Sequence, residues 1–98
     1  MKRIRTAKLD GQRWSLHWVA PSVMSRANGV PCWGDCNWEL RRIRIAKDVE
    51  GYDLLDVLCH ESLHAMFPCL DENAITFRSL ELSRLLWRAG YRLEHDDA

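Results

Sequence analysis

Long hydrophobic segments are missing from this sequence. No apolar run in its 98 residues approaches the roughly 20 residues that a helix needs to cross a bilayer. The basic N-terminus is not followed by the hydrophobic stretch of a secretory signal. We therefore expect a cytoplasmic protein that has no membrane partner and is not exported by the Sec route.

The sequence also lacks net charge, since 14 Lys and Arg balance 14 Asp and Glu. This balance gives no overall electrostatic argument for binding nucleic acid, a membrane surface or an acidic substrate. Basic residues cluster in two places: Lys2, Arg3, Arg5, Lys8 and Arg13, then Arg41, Arg42, Arg44 and Lys47. Their alternation with apolar residues is typical of solvent-facing sides of strands, and this interpretation outweighs a nucleic-acid-binding role.

Cysteine occurs four times, at Cys32, Cys36, Cys59 and Cys69, but no C-x-x-C pair is present. The spacing of Cys32 and Cys36 is compatible with half of a structural zinc site, yet no second convincing Cys/His pair accompanies it. We interpret Cys59 as a small apolar helix residue in a reducing cytoplasm.

The motif H-E-x-x-H at His60, Glu61 and His64 is the strongest functional signal in the chain. On a helix this spacing places two imidazoles one turn apart, where both can bind one zinc ion. Glu61 can then act as the general base that takes a proton from water at the metal. Helical spacing of the flanking apolar residues predicts such a helix, which Pro68 ends. The alternative is a solvated His-Glu-His ridge with ordinary i,i+4 contacts.

A catalytic zinc site needs a third protein ligand, and a second helical segment soon follows the first. Its apolar residues are Ala74, Phe77, Leu82, Leu85 and Leu86. In an antiparallel helical hairpin Glu72 returns opposite His64, so Glu72 is the predicted third ligand. Asp71 is the main rival, although it also suits the N-cap position. Glu81 ranks third because it lies about two and a half turns further along the helix.

The first half of the chain has the alternation of β-strands. Residues 3–9 and 13–19 flank Asp10-Gly11, a strong hairpin turn pair, and Trp14, Leu16 and Trp18 alternate onto one face. Residues 21–28 are compatible with a short helix. We expect the hairpin to cover the helices.

A loop and a third strand complete the predicted sheet. The loop is irregular and contains Cys32, Trp33 and Cys36. Residues 37–46 then alternate, with a shift that predicts a bulge near Arg41 and Arg42. We predict a single α+β domain over residues 1–98. In it, a small antiparallel or mixed sheet, built from the hairpin and an edge strand, packs on a C-terminal helical hairpin that carries the H-E-x-x-H helix.

His60-Glu61-Ser62-Leu63-His64, the following Leu70-Asp71-Glu72 and the short chain resemble the minimal gluzincin-type metallopeptidases, including small bacteriophage and prophage proteins. The resemblance covers residues 38 to 91. It implies an edge strand before the H-E-x-x-H helix, one zinc ion bound by His60, His64 and Glu72, and Glu61 as base and acid.

Two features separate the chain from other zinc peptidases. The larger gluzincins place the glutamate much further downstream and typically carry a second acid one turn later, where this chain has Thr76. The extended motif H-E-x-x-H-x-x-G-x-x-H is absent, which argues against a metzincin. The chain resembles more distantly the proteases related to SprT and the ImmA/IrrE group of phage-repressor proteases.

These features predict a zinc-dependent metallopeptidase of the cytoplasm, the bacterial host cytoplasm if the chain is phage-encoded, with a peptide or protein as substrate. Residues 38–45 are the candidate edge strand that pairs with an extended peptide. The alternative is a zinc-bound but catalytically silent phage accessory module that holds a partner on that strand. Asp56, one turn before His60, is a candidate to orient it. The oxyanion donor is unassigned among Tyr52, Tyr91, His17 and His95.

Overall fold

A computed structural model of the chain describes residues 3–28 and 32–93. Lys2, loop residues 29–31 and His95 lie outside the described residues. The elements in order are β1 (Thr6–Leu9), β2 (Gln12–Val19), α1 (Pro21–Asn28), β3 (Gly34–Asn37), β4 (Arg42–Ala46), α2 (Gly51–Met66) and α3 (Glu72–Arg88). A four-stranded mixed sheet packs against the two C-terminal helices, which confirms the predicted α+β class.

The predicted hairpin and its turn are confirmed. Asp10 and Gly11 have φ values of 51° and 73°, as a two-residue turn of the type favoured by Asp-Gly requires. β1 pairs antiparallel with β2, although it begins at Thr6 and is shorter than predicted. The side chains of Trp14 and Leu16 are buried in the core. The hairpin therefore fixes which face of β2 meets the helices.

The prediction that residues 38–45 form an edge strand is wrong. The strand order is β1-β2-β4-β3, so β4 lies inside the sheet, parallel to β2 and antiparallel to β3. Residues 38–41 form a turn instead of a bulge, because Asn37 Oδ1 accepts from the Leu40 N–H at 3.0 Å and Arg41 adopts a φ of 47°. The outer strand beside α2 is β3, which lies in the segment predicted to be an irregular loop.

The main core lies between the sheet and one face of α2. Leu54, Val57 and Ala65 of α2 join Ile43 and Ile45 of β4 in a single buried cluster. Buried Cys59 lies on the same helix, in keeping with its interpretation as a small apolar residue. α2 ends at Met66, just before Pro68, as predicted.

α3 begins and ends with specific caps. Asp71 is the N-cap, since its Oδ1 accepts from the Ala74 N–H at 2.8 Å. At the other end the Gly90 N–H donates to the Trp87 carbonyl and the Tyr91 N–H donates to the Leu86 carbonyl. These are the two hydrogen bonds of a Schellman cap. Gly90 has the left-handed φ of 99° that this cap requires.

The buried face of α3 differs from the one its apolar residues predicted. Phe77 and Leu85 are 62% and 65% exposed, whereas Ile75, Ser79 and Ser83 are buried at successive helical turns. α3 packs mainly on α2, and after Ile75 the buried positions of α3 are occupied by the small side chains of Ser79 and Ser83. Among the described residues, no helix combines the length and apolar character needed to cross a membrane.

Candidate metal centre

The helical hairpin brings His60, His64 and Glu72 together. Glu72 Oε1 lies 2.8 Å from His60 Nε2, and Glu72 Oε2 lies 2.8 Å from His64 Nε2. One ligand atom from each of the three side chains falls within 4.8 Å of the others. Within residues 3–28 and 32–93, this is the one group of three or more such donors. The cluster can hold a metal ion.

Local structure explains why these three residues meet. The two histidines are four residues apart on α2, so their rings lie on one face with centroids 4.9 Å apart. Glu72 is the first residue of α3 and returns beside the end of α2. Asp71, the rival ligand, is engaged in capping α3. Glu81 is exposed further along α3 and does not join the cluster.

The chemistry of the donors fits a cation. An unprotonated Nε2 and a carboxylate oxygen both present lone pairs and repel each other, so each 2.8 Å contact needs either a proton on Nε2, which then donates to the carboxylate, or a metal ion between the two atoms. Two imidazoles and one carboxylate form a known catalytic zinc ligand set that leaves a fourth position for water or substrate.

The two histidines differ in how their other ring nitrogen is held. His60 Nδ1 lies 3.4 Å from Ser79 Oγ, and Ser79 is 1% exposed between the helices. His64 Nδ1 is buried and has no hydrogen-bond partner among the described residues. Sequence reasoning missed Ser79; serines at 79 and 83, one turn apart, were the available signal.

Trp38 fixes the end of the helix that carries His64. In a regular helix the His64 carbonyl would accept from residue 68, but Pro68 has no N–H. The Trp38 indole supplies the missing donor, with Nε1 3.0 Å from the His64 carbonyl oxygen. The indole ring also meets the His64 ring edge-on at 6.1 Å. Pro68, four residues after His64, was the sequence signal that the His64 carbonyl needs a donor from outside the helix.

Glu61 lies on the opposite side of the motif from α3, facing β3. It is 7% exposed. Burial, together with the negative charges of Glu72 and Asp35, raises the pKa of Glu61 to about 8. A carboxyl group held in this way can exchange protons near neutral pH, as general acid-base catalysis requires.

Gly34 allows β3 to approach Glu61. A Cβ atom at residue 34 would lie 2.8 Å from Val57 Cγ1 and 3.0 Å from Glu61 Cγ, too close for any larger residue without rearrangement. Next to Gly34, Asp35 forms a cross-strand ion pair with Arg44. Sequence reasoning missed both residues, because their roles depend on β3 lying against α2.

A cleft of about 450 Å³ joins these groups. Its walls are β3 with its flanking residues on one side and the polar part of α2 on the other, and its lining includes Trp33, Gly34, Cys36, Trp38, His60, Glu61, His64 and Glu72. Burial, with the charges of Glu61 and Asp35, raises the pKa of the Cys36 thiol to about 12. Cys36 is therefore a protonated, weakly reactive wall of the cleft.

The remaining candidates from the sequence lie elsewhere. Tyr52 donates to or accepts from Ser83 at 2.8 Å, about 12 Å along α2 from His60. His17 bonds Ser15 on exposed β2, and Tyr91 follows the far end of α3. None of these three described residues meets the cluster, and His95 lies outside the described residues.

The structure also bears on the role predicted for Asp56 and on the zinc site considered at Cys32 and Cys36. Asp56 lines the cleft, and its Oδ1 accepts from Ser83 and not from His60. Cys32 and Cys36 are free thiols, and the described residues provide no group of metal donors around them. A structural zinc site at these cysteines has no support in the described part of the chain.

Comparison of the chain with protein-family models, with curated protein sequences and with solved structures gave no match.

Proposed function

We propose that this protein is a zinc-dependent metallopeptidase. The proposal rests on two features found together. One is the cluster of three donors, and the other is the buried carboxyl group of Glu61, which lies between His60 and His64 in the sequence. His60, His64 and Glu72 approach one point, while Glu61 faces the same cleft from inside the protein. A metal site that only stabilises the fold needs no such carboxyl group.

His60, His64 and Glu72 would hold the zinc ion, which when bound supplies Lewis-acid polarisation of a carbonyl and activation of water. Glu61 would accept a proton from water and pass it to the leaving amine. The raised pKa of Glu61 suits this exchange, because the group must both take up and release a proton. Burial beneath β3 keeps the carboxyl group in one place.

The outer edge of β3 supports an extended peptide as the substrate. The Ala46 N–H donates to the Trp33 carbonyl at 2.8 Å, and the register pairs Cys36 with Ile43. Since bonded and non-bonded pairs alternate in antiparallel sheets, the backbone groups of Cys36 point away from β4. An extended peptide would add to this edge by main-chain hydrogen bonds and lie along the cleft.

A catalytically silent zinc-bound module is the second candidate. Trp33 and Trp38 line the cleft and remain 53% and 45% exposed, and Leu40 beside them is 60% exposed. Large exposed apolar groups around a concave site suit the binding of a protein partner without hydrolysis. We propose a cytoplasmic location for either function, as the sequence predicts.

The decisive experiment combines metal analysis with cleavage. Protein stripped with chelator and reloaded with zinc is analysed for metal content, then incubated with a peptide library whose products are read by mass spectrometry. We expect one zinc per chain and cleavage by the wild type. Glu61→Gln should keep zinc and lose at least about a hundredfold in cleavage, the scale of a general base.

Two controls separate the candidates. Glu81→Gln changes an exposed carboxylate on α3 and should alter neither zinc content nor cleavage. Glu72→Gln should lower zinc content. Zinc binding with no cleavage of any library peptide, or cleavage unchanged in Glu61→Gln, would favour the silent module. A wild type that binds no zinc would overturn both candidates.

A further inference from the structure

The surface between α2 and α3 is a narrow polar seam, and it is built from few residues. Tyr52, Asp56 and His60 recur every four residues on α2, so they share the helix face that meets α3. Opposite them, α3 presents Ser79 and Ser83, which are 1% and 0% exposed. Each serine contacts a different part of α2, which makes their roles separable.

Ser79 has a carbonyl acceptor within its own helix. Its Oγ donates to the Thr76 carbonyl at 3.1 Å, the common back-bond of a helical serine. The same oxygen lies 3.4 Å from His60 Nδ1. A carbonyl oxygen can only accept, and donation of the hydroxyl proton to Thr76 leaves Ser79 Oγ able to accept from an N–H group at His60 Nδ1.

This arrangement favours the state of His60 that a metal needs. A neutral imidazole carries one proton, so a proton at Nδ1 leaves Nε2 with a free lone pair. His60 Nε2 is the nitrogen that faces Glu72. Hydrogen bonds to the distal nitrogen of a ligating histidine typically fix the ring orientation and raise metal affinity.

We infer that Ser79 is a positioning residue that holds His60 with its proton on Nδ1 and its Nε2 lone pair toward the metal site. The inference rests on the proposed metal site and adds a residue to it. Ser79 does not touch the metal position itself. It acts through His60, and His64 has no equivalent partner among the described residues.

Ser83 provides a matched control. It is the same residue type, one turn further along α3 and equally buried. Its Oγ bonds Tyr52 and Asp56 instead of a histidine. Replacing either serine by alanine removes one hydroxyl from the same seam, so a general loosening of helix packing would affect both variants alike.

The first measurement is zinc affinity, determined by competition with a chromophoric chelator. We expect Ser79→Ala to weaken zinc binding about 10- to 100-fold, the usual effect of losing the partner of a ligating histidine. Ser83→Ala should stay within about threefold of the wild type, because it contacts no ligand. Circular dichroism of the metal-free variants checks that both remain folded.

The second measurement needs no metal. Long-range proton–nitrogen correlation spectra of the imidazoles, recorded under mildly alkaline conditions, report which nitrogen carries the proton. In metal-free wild type and Ser83→Ala, we expect a measurable share of His60 with its proton on Nδ1, in competition with Nε2, where Glu72 can accept it. In Ser79→Ala the Nδ1 share should fall, because only Glu72 then remains as a partner.

Three outcomes would overturn the inference. Zinc affinity could be unchanged in Ser79→Ala, it could fall equally in both alanine variants, or His60 could show the same proton position in all three proteins. Failure of zinc binding in the wild type would instead overturn the proposed function along with the role of Ser79 in it. The spectra of metal-free protein keep these cases apart, because they test the Ser79 contact alone.

Discussion

The two faces of α2 are built on different chemistry. The face toward the sheet carries Leu54, Val57 and Ala65, which join one apolar core with the strands. The face toward α3 carries polar groups at helical spacing, including His60 and His64, and meets buried serines. Apolar burial supplies most folding free energy in a domain of this size, whereas polar seams contribute little net stability. We therefore expect the apolar face of α2 to contribute most to folding stability and its polar face to contribute the functional groups.

The largest expected effect comes from breaking the apolar face. Leu54 is 3% exposed within the core cluster, so Leu54→Ala should lower the free energy of unfolding by about 3 kcal/mol, through lost burial and a residual cavity. Leu82→Ala on exposed α3 is the control and should cost well under half as much. Urea unfolding of the metal-free proteins measures both. Equal losses would contradict the division between the two faces.

The polar face should contribute stability only when metal is bound. Zinc at 100 times its dissociation constant should raise the free energy of unfolding by about 2.7 kcal/mol, because it binds the folded chain. His64→Ala should lose this increment yet match the metal-free wild type closely. Thermal unfolding with and without zinc provides the test. A zinc effect of the same size in His64→Ala would place the metal elsewhere.

A substitution at Gly34 should displace Glu61 without changing any of the three metal ligands. Gly34→Ala would push a methyl group against Val57 and Glu61, and overpacking of this kind typically costs about 2 kcal/mol. Zinc content should be retained while peptide cleavage falls, since Glu61 moves and the ligands do not. Gly11→Ala is unsuitable as a control because of its positive φ, so Ala7→Gly on β1 is used. Loss of zinc in Gly34→Ala would contradict the prediction.

The smallest effect is expected far from the metal on the polar face. Tyr52→Phe removes the phenol that bonds Ser83 at 2.8 Å, which should cost about 1 kcal/mol, the net value of one hydrogen bond. Zinc affinity should not change. Tyr91→Phe is the matched control, since Tyr91 is 65% exposed. Chemical unfolding and chelator competition measure the two quantities. A large loss of zinc affinity would mean that the seam acts as one unit.

Local sequence signals predicted the elements that depend on neighbouring residues. The Asp10-Gly11 turn, the end of α2 before Pro68 and the N-cap at Asp71 each follow from short-range geometry. The approach of Glu72 to both histidines also follows, because only a short turn separates the helices. These features require no knowledge of how distant strands pair.

Long-range placement was the part that sequence reasoning missed. Nothing local shows that β4 crosses to pair parallel with β2, which moves β3 to the edge. The large apolar residues of α3, such as Phe77, suggested the wrong buried face, because the real contact surface uses Ser79 and Ser83. Trp38 and Gly34 acquire their roles only after β3 packs on α2.

The short turn between α2 and α3 has a consequence for how the protein folds. The three donors lie on one continuous stretch of chain from His60 to Glu72, so closing the cluster costs little loop entropy. The parallel pairing of β2 with β4 joins segments much further apart and is intrinsically slower. If a metal binds as proposed, its three ligands therefore need no long-range strand pairing to meet.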